Sequence, residues 1–94
     1  MSKLRKLAKG QPCMVRIPHV CNYDPATTVL AHYRLSGISG IGMKSPDEIG
    51  AWCCSACHSA IDAGHADYSR DELKLYHAEG VFRTQAQLIK DGVI

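Results

Sequence analysis

Four cysteines constrain this chain more than any other feature. Cys54-Ser-Ala-Cys57 carries the tight spacing of a metal half-site, while Cys13 and Cys21 lie far upstream with a looser, eight-residue separation. Four thiolates close one tetrahedral zinc site only if residues 13–21 fold back beside residues 54–57. Such a metal is structural, and a staple is useful: 94 residues make one domain, which buries only about 60–65% of its unfolded surface. Structural zinc adds its binding free energy to folding, about 10–16 kcal/mol in small peptides. Disulfides are the other staple, but five cysteines leave one unpaired and no secretory apolar run precedes them. A reducing cytoplasm fits the chain, because it keeps thiols available as ligands. Cys53 is read as a core residue. No segment approaches the roughly 20 apolar residues that span a bilayer.

The formal net charge of +2 hides an asymmetry. Residues 1–46 hold Lys3, Arg5, Lys6, Lys9, Arg16, Arg34 and Lys44 against the single acid Asp24, whereas residues 47–94 hold twice as many acids as bases. A cationic region beside a carboxylate-bearing one suits a protein that grips phosphates and keeps acids for a cation. These seven cations are therefore the candidate DNA contacts. A solvated terminus is the plain alternative for Lys3–Lys9.

Residues 1–12 read as a basic arm, helical up to Gly10 and Pro12, ahead of a single domain over residues 13–94. Residues 13–25 look like a loop or ribbon. Residues 27–35 are rich in β-branched and aromatic types and predict a strand. A glycine-containing loop with Gly37, Gly40, Gly42 and Pro46 follows, then a second strand over Ile49–Cys53. A short helix after it sets His58 and Asp62 one turn apart on one face. Ser69-Arg-Asp-Glu72 reads as a capping box for a last helix, with a core stripe through Leu75, Ala78, Phe82, Ala86 and Ile89, bent or divided at Gly80.

Strand, loop, strand and helix with cysteines at the base resemble the HNH endonuclease family and, within it, the small YbcO-type nucleases of lambdoid phages and prophages. The likeness runs through Leu4-Arg5-Lys6, Cys13-Met-Val-Arg-Ile-Pro18, Val20-Cys21-Asn22, Val29-Leu-Ala-His32, Cys54-Ser-Ala-Cys57-His58 and Gly92-Val-Ile94, nearly the whole chain. It implies a small α+β protein: a zinc-stapled ββα-metal core of the HNH, or His-Me finger, type with a C-terminal helical segment. It also implies a metal-dependent DNA endonuclease. By position, His32 matches the general base, His58 a metal ligand and Asp62 a second ligand one turn on. Asp47 falls near the slot of an asparagine that orients the base; a carboxylate also accepts the imidazole proton and fixes its tautomer. Ala31 departs from relatives that carry a metal-binding acid or histidine there, so the metal depends on His58, Asp62 and another group such as His65 or Asp67.

Phosphodiester hydrolysis asks for such a set. Imidazole, with a reference pKa of about 6.5, takes a proton from water near neutrality. A divalent ion on His58 and Asp62 supplies positive charge for the phosphate and the departing sugar oxygen. Arg34, two residues beyond His32, points to the same side of a strand and can meet a phosphate oxygen. One nitrogen and one carboxylate ligand suit magnesium or manganese, with nickel and zinc open. A domain this small meets duplex DNA more effectively as a homodimer. Two other classes remain: a noncatalytic zinc module that binds DNA, and a structural zinc domain for protein interaction. Convergence of His32, His58 and Asp62 on one solvent-open point separates the nuclease from both.

Overall fold

A computed structural model describes residues 3–38 and 45–94; Gly40, Gly42 and Lys44 lie outside the described residues. The described chain is a small α+β fold of three α-helices and a two-stranded sheet. Helix α1, Lys3–Ala8, is followed by an irregular ribbon, strand β1 (Val29–His32), strand β2 (Gly50–Cys53), helix α2 (Ser55–Ala63) and helix α3 (Arg70–Lys90). None of its helices is long and apolar enough to cross a membrane.

The strands run antiparallel, with Val29 opposite Cys53 and His32 opposite Gly50. Strand β1 is shorter than the composition of residues 27–35 predicts. Asp24 accepts a hydrogen bond from the Ala26 N–H and, with Pro25, winds residues Pro25–Thr27 into a 3₁₀ turn. A second 3₁₀ turn, Asp47–Ile49, takes the predicted first residue of β2.

Strand β2 is the centre of the protein, and all four of its residues are buried. Ala51 and Cys53 face the larger core with Val15, Ile17, Leu73 and Val81, while Trp52 faces a smaller one with Ala8, Met14 and Leu88. Leu4 and Leu7 of α1 join that second core, so the basic N-terminal segment is fastened down by its apolar residues. On the other edge of β2, the Met14 N–H donates to the Trp52 carbonyl at 2.7 Å.

The capping box at Ser69 and Glu72 forms as expected and starts α3. Two expectations for that helix fail. Gly80 neither bends nor divides it; α3 is continuous from Arg70 to Lys90. The expected core stripe is also turned outward: Leu75, Phe82 and Ile89 are 60, 69 and 63% exposed. The buried face is Leu73, His77, Gly80, Val81, Thr84 and Leu88. Close approach explains the reversal. The Trp52 N–H donates to the Thr84 hydroxyl at 3.0 Å, and Arg83 donates to the Met14 carbonyl at 2.7 Å, so small or hydrogen-bonding residues stand at Gly80 and Thr84, where α3 comes nearest the strand and ribbon, while Leu73, Val81 and Leu88 fill the core around them.

Gly80 tests this directly. A Cβ there would lie 2.7 Å from Val15 Cγ2, 3.0 Å from Val15 Cα and 3.2 Å from the Met14 carbonyl oxygen. Gly80→Ala gains about 1 kcal/mol of helix propensity, whereas overpacking a tight core costs about 1–3 kcal/mol. Backbone atoms cannot step aside as a flexible side chain would, so the variant should be less stable, read as a lower denaturant midpoint.

Candidate active site and metal centre

The sulfur atoms of Cys13, Cys21, Cys54 and Cys57 all lie within 4.8 Å of one another. Local structure brings them there. Cys54 is the N-cap of α2, and its sulfur accepts the Cys57 N–H at 3.3 Å. Asn22 donates to the Ser55 hydroxyl at 3.1 Å, and the Ser55 N–H donates to Thr27 Oγ1 at 3.2 Å, which moors the Cys21 end of the ribbon to the start of α2. The Tyr68 hydroxyl donates to the Pro18 carbonyl at 2.6 Å between the two upstream cysteines.

Geometry and acidity both fit a cation. Cys21 and Cys54 sulfurs are 3.8 Å apart; a tetrahedron with metal–sulfur bonds of about 2.3 Å has edges of about 3.8 Å, whereas a disulfide needs about 2.05 Å. Thiols donated by Cys53 and Cys57 hold Cys13 well below the usual thiol range. Donating to Cys13 in turn pushes Cys57 and Cys53 up. Burial pushes Cys21 up to about 11. The sulfurs thus oppose one another's ionisation, and four thiolates require a bound cation to offset their charge. Cys53 touches this set without belonging to the tetrahedron.

A cleft of about 540 Å³ opens beside the sheet. His32, the last residue of β1, lines it with Arg34 and Asp62. His32 Nε2 lies 2.6 Å from Asp47 Oδ1. A carboxylate oxygen only accepts, so Nε2 carries the proton and Nδ1 keeps its lone pair. Arg5 Nε stands 3.8 Å from the same Asp47 oxygen, which brings the N-terminal helix to the site. His58 is not among the residues that line the cleft; its Nε2 is 3.4 Å from Asp62 Oδ2, both on α2. Ala31 is buried in the larger core.

Three cleft residues went unrecognised in the sequence: Arg70, Lys74 and His77, all on α3. Their i, i+4, i+7 spacing puts them along one side of a helix and is the signal that could have found them. His77 is buried and donates from Nε2 to the Ala31 carbonyl at 2.9 Å, while its ring lies 5.0 Å from that of Tyr33. It thus holds the residues on both sides of His32. Burial is the main cause that keeps His77 below the usual histidine range, with His58 and His32 acting in the same direction. The suggested extra ligands are not in the cleft lining: His65 Nδ1 accepts the Asp67 N–H at 3.1 Å, and its ring packs on Tyr68. Arg16 is turned to the cysteine ribbon, donating to the Cys13 carbonyl at 3.1 Å.

Residues 2–93 match the family described as "Putative nuclease YbcO". The chain belongs to the YbcO family. YbcO relatives bearing that same description, from Escherichia coli strain K12 and from Enterobacteria phage 82, are each 49% identical over 94 residues, which is 100% of this chain and 98% of theirs. A solved structure titled "Structure of a putative bacteriophage protein from Escherichia coli str. K-12 substr. MG1655" is 43% identical, with a TM-score of 0.79, covering 96% of this chain and 100% of that one. The cysteine tetrad and the cleft thus both lie within the segment that the YbcO family matches.

The tetrad predicts one metal ion per chain with four sulfur ligands, countable by metal analysis and absorption-edge spectroscopy. Cys57→Ser should lower both metal content and folding stability. Cys53→Ser should leave the metal stoichiometry unchanged, because that sulfur lies outside the tetrahedron. Equal loss in both variants would mean that the ligand set is wrong.

Proposed function

We propose that this chain is a metal-dependent DNA endonuclease of the HNH type, stapled by zinc on Cys13, Cys21, Cys54 and Cys57. The names of its relatives support a nuclease. The observation that carries the reading further is the cleft that His32 shares with Asp62, with Asp47 on the far nitrogen of His32 and His58 beside Asp62. His32 and Asp62 share the cleft lining, and His58 stands outside that lining but next to Asp62. A zinc-binding or protein-interaction domain has no use for that arrangement.

In this reading Asp47 fixes the imidazole tautomer, so that Nδ1 of His32 takes a proton from the attacking water. His58 and Asp62 would hold a divalent ion, magnesium or manganese, which would supply positive charge for the phosphate and the departing sugar oxygen. Arg34, Arg70 and Lys74 line the same cleft as Asp62 and would hold the scissile phosphate. His77 steadies β1 on either side of the base.

Cleavage should require an added divalent ion. His32→Ala should lower the rate by about 10²–10⁴ while the protein stays folded, as loss of a general base does. His58→Ala and Asp62→Ala should lose activity that higher metal concentration partly restores. Wild-type cleavage by all three folded variants on duplex, nicked and branched DNA would sink the proposal.

The N-terminal cations contribute to binding at the phosphate backbone. Because Arg5 is engaged with Asp47, the clean test changes Lys3, Lys6 and Lys9 to glutamine. DNA affinity should fall similarly for unrelated sequences, and the log–log salt slope should shrink by about 2–3 units at about 0.9 per phosphate. An unchanged slope assigns the phosphate contacts to Arg34, Arg70 and Lys74 alone.

A further inference from the structure

The large apolar residues of α3 face away from its core side. Phe82 and Thr84 are two residues apart, about 200° around a helix of 3.6 residues per turn, and Thr84 is fully buried while Phe82 is 69% exposed. Leu75, Phe82 and Ile89 recur every seventh residue, and Ala78 and Ala86 fill the turns between them. This stripe is symmetric about Phe82: Leu75 mirrors Ile89, and Ala78 mirrors Ala86. Alanines on either side of the central ring leave room for a second ring to enter.

The charges flanking the stripe are arranged to match. Glu72 and Glu79 lie toward the N-terminal end, and Arg83 and Lys90 toward the C-terminal end. Arg83 and Glu79 stand 3.6 Å apart within the helix, both partly open to solvent. A parallel two-fold copy of α3 would put Glu79 and Arg83 on opposite flanks of the seam from their counterparts, so these charges would not meet. An antiparallel copy sets Glu79 near Arg83 of the partner subunit and Glu72 near Lys90 of the partner subunit, and it brings Leu75 against Ile89 of the partner subunit. A symmetric pattern of this kind is what an isologous two-fold contact requires, because one surface must complement itself.

We infer that α3 pairs with α3 of a second copy of this chain, antiparallel and centred on Phe82. An apolar groove of about 310 Å³ beside Phe82, walled by Tyr33, Leu35, Ile49 and Val81, widens the face beyond one helix. That width counts, since a stable interface buries about 1,200–2,000 Å² in total. The core side of α3 is not used, and dimerisation leaves the cysteine tetrad untouched.

The test does not depend on catalysis: light scattering and analytical ultracentrifugation of the metal-loaded chain over a concentration series. The wild type should be a dimer. Phe82→Glu should weaken the dimer by at least about 30-fold, as loss of a central aromatic anchor does, with metal content and circular dichroism unchanged. Glu79→Arg and Arg83→Glu should each weaken self-association, and an equimolar mixture of those two variants should recover it as a mixed dimer. A monomeric wild type at high concentration overturns the inference. So does a dimer indifferent to Phe82→Glu, which would place the interface elsewhere. If the wild type is monomeric and Phe82→Glu weakens only DNA binding, the face serves nucleic acid instead.

Discussion

Four sulfur atoms within 4.8 Å of one another hold this protein in register. The ribbon that carries Cys13 and Cys21 has no helix or strand of its own, yet it supplies Val15 and Ile17 to the core and an edge partner to β2. A segment of that kind has little local preference to order it. Its position depends on what ties its ends, and the thiols are that tie. The same cluster reaches the first turn of α2, because Cys54 is also the helix cap. Asp62 of the cleft lining stands on that helix, so one short helix joins the cysteine cluster to the cleft.

The second organising constraint is the shallow space between α3 and β2. Gly80 sits on the buried face, among Leu73, Val81 and Leu88, where the ribbon leaves no room for even a methyl group. Thr84 serves both sides, accepting from the Trp52 N–H and donating to the Gly80 carbonyl at 2.8 Å. His77 does likewise for β1. Polar atoms in this layer are satisfied one by one, which lets a core of modest size tolerate them.

Much of this was legible in the residues. The Cys54–Cys57 spacing and the need for a second pair pointed to one tetrad, and the i, i+4 placement of His58 and Asp62 followed from the helix period. Ser69 and Glu72 marked the start of α3 because a capping box is a local device. The side of α3 that faces inward was not legible. Periodicity locates an apolar face but does not say what covers it, and here Leu75, Phe82 and Ile89 point outward while Leu73, Val81 and Leu88 face the core with a glycine, a threonine and a histidine among them. Arg70 and Lys74 escaped notice for a related reason: a cation on a helix looks like ordinary surface until the fold sets a carboxylate and a histidine opposite it. Asp47 could be placed only near the base, because its distance from His32 depends on the turn that precedes β2.

With a metal bound, the tetrad would make the polypeptide a lasso. Cys21 and Cys54 would form its neck, and β1, the 3₁₀ turn at Asp47 and β2 the noose, so His32 and Asp47 would both ride on a loop closed by coordination rather than by a covalent bond. A single protease cut between residues 34 and 46 would then leave two of the four sulfurs on each half, with the metal and the β1–β2 pairing both joining the halves.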